Sequence, residues 1–483
     1  MNALRLVMPL GLVLVLSLAA FGASAASPPA NVPTWSVGQA VGYGTSLDLT
    51  SLVDTYVLNQ IRSNPTAFNI TSINALNFTG SFDSWSYEKV TQKTDTYYVL
   101  SSQSAEGIKF HLDVNATMNN LPVPGAYAGT RSAYGVCLPP TIPMAARAVA
   151  VTVDASALTT TSGTTRQQVT NLAYMTETLN ATVQASVAVS AYNLPSSSTN
   201  QTTCVETVAY ESPSFTLTVD TWNQLRMLFQ PAWDFFNFPI SDNKTWWANT
   251  TATMGATLSG TINVQGLSSQ DQKAFFDNLT KAFQSAGLAV TGLDHFPIDL
   301  AKITISAGLT NIVQNGVVQD YPTPLHQSFR AISSAQTLSD GSIHPVYLIT
   351  SSQYQCPPAG GTLSLPVDYA AVYAPDFPAQ NAGMIVGYQL LVCVGTTNLP
   401  GFELKNIAPS DAQNKIGQTE SNYNPFPPAP GNTIVDFFVA TPYRGFLILA
   451  VVVVAAVAFL FVRRRGRRMA PSMPPPAPPP GTP

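Results

Sequence analysis

The stretch Ile108-Lys109-Phe110-His111-Leu112-Asp113-Val114-Asn115 places Ile108, Phe110, Leu112 and Val114 on one side of an extended chain and Lys109, His111, Asp113 and Asn115 on the other. Strict alternation of this kind marks a strand with one packed and one solvated face. The same period of two recurs in Val149, Val151 and Val153 and again in Val183, Ala185, Val187 and Val189. Met384 to Val394 is apolar along most of its length and reads as a more deeply buried strand. Helical spacing appears in two places. Leu49, Leu52, Val53, Tyr56, Val57 and Ile61 recur at helical intervals before Ser63-Asn64-Pro65. Ser268 and Asp271 resemble a capping box ahead of Phe275, Leu279, Ala282, Phe283 and Ala286, a stripe that stops at Gly287. Both stripes read as core packing. The expected fold is α+β and β-rich, built of mostly antiparallel sheet with a few packing helices.

Working outward, the chain repeats itself. Cys137-Leu138-Pro139-Pro140 has a counterpart in Cys356-Pro357-Pro358, each behind a tyrosine, Tyr134 and Tyr354. Cys204-Val205-Glu206-Thr207 matches Cys393-Val394-Gly395-Thr396, and Phe215-Thr216-Leu217 matches Phe402-Glu403-Leu404. Phe238-Pro239 follows its cysteine by 34 residues and Phe426-Pro427 by 33, while Trp35 and Trp246 precede theirs by 102 and 110. Common order and spacing carry the argument where no single match does. The expectation is two tandem modules, 26–235 and 236–421, each a sheet with one main helix.

The two ends address the chain to a membrane. Arg5, the apolar run from Leu6 to Phe21 and the small residues Ala23-Ser24-Ala25 form a secretory signal over residues 1–25. Residues 445–462 are uninterruptedly apolar and long enough to span a bilayer. Arg463, Arg464, Arg465, Arg467 and Arg468 follow as a stop-transfer cluster against Arg444 alone on the other flank, so the positive-inside rule puts the body outside and the tail, 463–483, inside. Residues 422–444 contain NYNPFPPAPG and read as a proline-rich stalk, and the inner tail favours polyproline II and reads as a disordered, solvated end, with a docking peptide for a cytoplasmic partner as the alternative.

Composition narrows the function. Between Ala26 and Tyr443, fifteen Lys and Arg stand against twenty-six Asp and Glu, a net charge of −11 that argues against nucleic acid. Charged residues are 10% of the chain, where about 25% is usual, so the surface is polar but largely uncharged. Few carboxylates mean few groups whose protonation penalises the fold as pH falls, which suits acidic surroundings. Glycosylation accounts for the same composition, with sequons at Asn69, Asn77, Asn115, Asn180, Asn200, Asn243, Asn249 and Asn278. Cys137, Cys204, Cys356 and Cys393 all lie in the exported part. Their even number there points to two disulfides, and their wide spacing, with no histidine near, points away from zinc. Three pairings are open, the favoured one joining Cys137 to Cys204 and Cys356 to Cys393.

Catalytic signatures are sparse. The four histidines are His111, His295, His326 and His344, and the chain lacks HExxH, GxSxG, GxxxxGK[ST] and a calcium-loop acidic ladder. Ser241-Asp242-Asn243-Lys244 fits SxxK without its companion motifs. Asp294-His295 with Asp299, and Asp340 with His344, are the His and carboxylate groupings to follow into the fold. Trp222, Trp233, Phe236, Trp246 and Trp247, with Phe235 and Phe238, crowd the expected module junction and are candidates for a binding or junction surface. No cofactor or metal is expected.

The layout of signal peptide, Thr- and Ser-rich β body, one C-terminal span and basic stop resembles uncharacterised archaeal single-pass cell-surface glycoproteins. The opening Trp35-Ser36-Val37-Gly38 with Tyr43 resembles the first strand of envelope domains that cup lipids on a curved sheet, and that resemblance implies an apolar ligand. The segment Ile240 to Trp247 lacks the glycine. The function expected is a non-enzymatic cell-surface protein for envelope structure, adhesion or capture of a surface protein, glycan or apolar ligand. A surface-tethered hydrolase and a lipid carrier with a sheet–helix cavity are the alternatives.

Overall fold

Alternating sequence propagates into very long strands, and these close on themselves. A computed structural model describes residues 29–425 apart from 169–170, 190–193, 212–213, 286, 309, 352–366, 379–381 and 395–396. Twelve strands form a hydrogen-bonded antiparallel ring in which each pairs with its neighbours in sequence. They are β1 (Ala40–Asp48), β2 (Ile70–Lys93), β3 (Tyr98–Pro122), β4 (Met144–Gln168), β5 (Asn171–Val189), β6 (Phe215–Trp233), β7 (Thr245–Gln265), β8 (Val317–Thr337), β9 (Ile343–Ser351), β10 (Val367–Ala374), β11 (Met384–Val394) and β12 (Thr397–Ile407). The ring closes where β12 pairs with β1 through Gly42↔Ile407, Tyr43↔Asn406 and Gly44↔Lys405. Closure leaves no ring strand with an unpaired edge. Ile108 to Asn115 lies in the middle of β3, between β2 and β4.

The expected boundary at 235/236 falls in the link between β6 and β7, so each half of the sequence supplies six consecutive ring strands. The halves share one sheet: β6 pairs with β7 along fifteen residues, from Thr216↔Gln265 to Gln230↔Thr251, and β1 joins β12. The described residues belong to one compact unit, Met1–Ala440. The order of parts in the halves nevertheless corresponds. In each, a helix follows the first strand, and a cysteine (Cys137, Cys356) lies in sequence between the third and fourth. The second cysteine of each half, Cys204 or Cys393, falls after the start of the fifth strand and before the sixth.

The first helix, α1, runs through Leu49–Val53 in α geometry, Asp54–Leu58 in π geometry and Asn59–Ser63 in α geometry. Asp48 caps it by accepting from the Thr50 backbone N–H at 2.9 Å. Leu58, off the expected stripe, is buried, and Leu49, Val53, Val57 and Ile61 of the stripe are half-buried. α2 (Ser269–Ser285) packs Phe275, Leu279 and Phe283 of its expected stripe, together with Phe276 from outside it, against Leu293, Ile298 and Ile303 in a small core of its own, while Ala282 of the stripe is exposed.

A third helix, α3 (Pro409–Tyr423), was absent from the expectation, and it overlaps the start of the stalk assigned to 422–444. Its buried residues Ala412, Ile416, Thr419 and Tyr423 recur at helical spacing. It packs on Trp85, Tyr87 and Ala105 of β2 and β3. Gly42 permits the approach, since a Cβ there would sit 2.6 Å from the Ala412 Cβ. The opposite face of the same strands is buried too. Ser84, Ser86 and Glu88 on β2, Ser102 and Ser104 on β3, and Thr159 and Thr161 on β4 lie there at most 8% exposed, with Ser104 and Thr161 hydroxyls 2.6 Å apart. With both faces covered, this part of the ring has a buried polar layer in which Ser104 bonds Thr161 and Ser84 bonds Glu106.

Cys137 and Cys204 form a disulfide, as favoured. Cys356 lies outside the described residues, as do residues 1–25, the span at 445–462 and the arginine cluster. Among the described residues no helix is long and apolar enough to cross a membrane.

Candidate functional site

Outward-pointing residues of β2 to β5 converge in an open trough of about 460 Å³, within the range of small-ligand sites. Register assembles it from two transverse rows. Thr79, His111, Asp154 and Ser186 stand side by side on successive strands, and Ser81, Lys109, Ser156 and Gln184 form the next row. Thr216 of β6 prolongs the first row, its hydroxyl 3.2 Å from that of Ser186. The last residue of α3 closes one side: the Tyr423 hydroxyl donates to Asp83 Oδ2 at 2.8 Å and lies 2.9 Å from Ser81 Oγ, and Ser156 Oγ donates to the Tyr423 carbonyl at 2.9 Å.

Inside the trough His111 Nδ1 and Asp154 Oδ1 are 2.7 Å apart, leaving Nε2 outward on a side chain 46% exposed. With Lys109 as a cation, the lining offers hydroxyl, amide, imidazole, carboxylate and ammonium groups within one cavity. This is a donor and acceptor set for a ligand rich in hydroxyls. Among the described residues no hydroxyl bonds Nε2, so the pair lacks the nucleophile contact that triad chemistry uses. Sequence reading found the alternation of Lys109 and His111 but not the trough, because Asp154, Gln184 and Ser186 are brought in by pairing across four strands.

The other groupings resolve differently. His344 gains a third partner: Nε2 lies 2.8 Å from Asp340 Oδ2 and Nδ1 3.2 Å from Asp376 Oδ1. Burial opposes its charge, but the hydrogen bonds to Asp340 and Asp376 outweigh it and raise its pKa. With both nitrogens held between carboxylates and the side chain 14% exposed, His344 clamps two turns together and has no nitrogen free as a base. Asp294 and His295 pair at 3.0 Å on the surface. Asp299 does not join them, capping Ala301 and pairing with Lys302 instead. In the SxxK segment Lys244 Nζ donates to Asn237 O, Asn237 Oδ1 and Pro239 O at 2.6 to 2.8 Å, a structural commitment.

The aromatic group divides. Phe236 and Trp246 are core, with Trp233, Phe235 and Phe238 packed against them, Phe329 and Tyr373. Trp222 and Trp247 are 44% and 54% exposed on the opposite face, Trp247 stacked on His326 with ring centres 4.3 Å apart. The five therefore do not form one surface. Of the sequon asparagines, Asn77, Asn180, Asn200, Asn243 and Asn249 are exposed and Asn69 and Asn115 half-buried. Asn278 lies on α2.

Compared with known protein families, curated proteins and solved structures, the chain matches none.

Proposed function

We propose that this is a non-enzymatic, single-pass cell-surface protein whose ring captures a hydroxyl-rich ligand, a surface glycan by its chemistry, in the trough of β2 to β5. The observation that carries the reading is the double row of hydrogen-bonding side chains, Thr79 to Ser186 and Ser81 to Gln184, bordering one open cavity. Residues 1–25 export the chain, residues 445–462 anchor it, the arginines from Arg463 to Arg468 hold the tail inside, and the exposed sequons carry glycans. The hydroxyl, amide and charged side chains of the two rows bordering the trough favour a glycan over the apolar ligand of a lipid carrier. The corresponding order of parts in the two halves supports descent by duplication, with both copies merged into one ring.

The test is calorimetric titration of the full chain, in detergent, with short neutral and uronic-acid oligosaccharides. His111→Ala and Asp154→Ala are expected to weaken binding by about tenfold or more, the worth of a charge-assisted hydrogen bond. Binding unchanged in both variants would remove the trough from the function. A surface-tethered hydrolase is the second reading, favoured by the Asp154-held imidazole with Nε2 turned outward. Cleavage of a bound oligosaccharide by wild type, lost in Asp154→Asn, would replace the first reading with it.

A further inference from the structure

Where β12 meets β1, two buried side chains, Tyr43 and Glu88, and the half-buried Tyr388 converge from three strands. Tyr43 lies in the middle of the three-residue seam and is 0% exposed. Its hydroxyl donates to Glu88 Oε1 of β2 at 3.2 Å, and its ring meets Tyr388 of β11 edge-on at 5.5 Å. Glu88 is opposite Val41 on β1 and Ser102 on β3, both buried. Leu404 of β12, paired with Tyr388, is buried beside them. The titratable groups on this face include Tyr43, Tyr388, Tyr373 of the core that Tyr388 packs against, Glu106, which accepts from Ser84 at 3.4 Å, and Glu177, on β5 in the Glu88 row. Lys89 and Lys405, the nearest cations in sequence, alternate onto the opposite face, where α3 lies and Lys415 sits over Trp85. Among the described residues an ionised Glu88 therefore has a hydrogen bond from Tyr43 but no counter-charge, and a buried carboxylate in that position is strongly disfavoured.

We infer that Glu88 is a proton-operated lock on the ring: with its proton it lets β1, β2 and β11 pack around the closing seam, and its ionisation loosens the seam. A body exposed outside the cell would thus be most tightly closed in acid, a clause that rests on the surface reading. Burial raises the Glu88 pKa to about 7, with the Tyr43 hydrogen bond partly opposing the rise. Burial, ahead of the nearby Glu88 charge, pushes both tyrosines upward, so they stay neutral. Because the folded pKa lies above the unfolded value near 4.5, the stabilisation is complete below about 4.5 and is lost as pH rises through about 7.

The experiment measures thermal midpoints and hydrogen exchange of the full chain in detergent from about pH 4 to about pH 8, for wild type, Glu88→Gln and Tyr43→Phe. Wild type is expected to lose stability with rising pH, and Glu88→Gln to remove most of that fall while slowing exchange of β1 and β12 at the alkaline end. Tyr43→Phe, which keeps the ring but deletes the bond to the carboxylate, should move the transition upward in pH. Should Glu88→Gln fail to fold, the Tyr43→Phe profile alone decides. A Glu88→Gln profile parallel to wild type, or a Tyr43→Phe profile superimposable on it, overturns the inference. Oligosaccharide binding does not enter these readouts, so the inference and the trough reading can fail separately.

Discussion

At the residue scale the fold turns on close approaches that no hydrophobic count reveals. Gly107 on β3 lies beneath Tyr423, and a Cβ there would strike the tyrosine ring. Tyr423 also holds Ser81 and Ser156, so one contact links the seat of α3 to the rim of the trough. Gly107→Ala is expected to cost roughly 1–3 kcal/mol through overpacking and to weaken any trough ligand, checked by denaturant unfolding beside calorimetry. Serines show the same dependence on context. Ser84, Ser86 and Glu88 alternate with Trp85 and Tyr87, and taken alone that pattern sends the serines to solvent. They are buried because α3 covers the tryptophan face while the ring encloses the other. His111 was visible as an outward residue of its strand, but its partner Asp154 is forty-three residues away and was not.

At the element scale the long strands were legible because alternation over eight residues of β3 is unambiguous. α2 was legible for the matching reason, an uninterrupted 3.6-residue stripe with a cap and a stopping glycine. α1 was legible from its stripe as well, since Leu49, Val53, Val57 and Ile61 are half-buried along it, but nothing in the sequence period announces the π turn. α3 went unnoticed because its buried set includes Ala412 and Thr419, small or polar residues that carry little hydrophobic signal. The disulfide belongs to this scale as well. It ties the insertion between β3 and β4 to the one between β5 and β6, outside the ring, across 67 residues. Reduction, or a Cys137→Ser and Cys204→Ser double variant, should therefore open these insertions to protease while the ring strands stay protected, as limited proteolysis with mass spectrometry would show. The chain-entropy model sets the loss at roughly 4 kcal/mol as an upper figure.

At the scale of the whole molecule, closure makes the two halves interdependent. Either half alone leaves two long edge strands unpaired, β1 and β6 or β7 and β12, and removes one face of the seam around Tyr43. Residues 26–235 and 236–425 expressed separately are expected to aggregate or remain unfolded, and circular dichroism with sedimentation would detect a soluble folded half if one existed. The lock at Glu88 acts on the same closure. The difference between its folded pKa of about 7 and an unfolded value near 4.5 corresponds to roughly 3 kcal/mol of stability present in acid and lost by mildly alkaline pH.

Local order determined segments of β3, β4, β5 and β11, two of the helices and the outward row of β3, because each is written in consecutive positions as a period of two or 3.6 residues or as an apolar run. The favoured pairing of Cys137 with Cys204 also came from sequence, through the matched surroundings of the four cysteines. Tertiary structure alone decided that the halves share one ring, that hydroxyls and Glu88 fill a buried face, and that His111 meets Asp154. Those features depend on which strands become neighbours. Register between distant segments is set by the summed packing of the closed sheet, and no local window of sequence contains it.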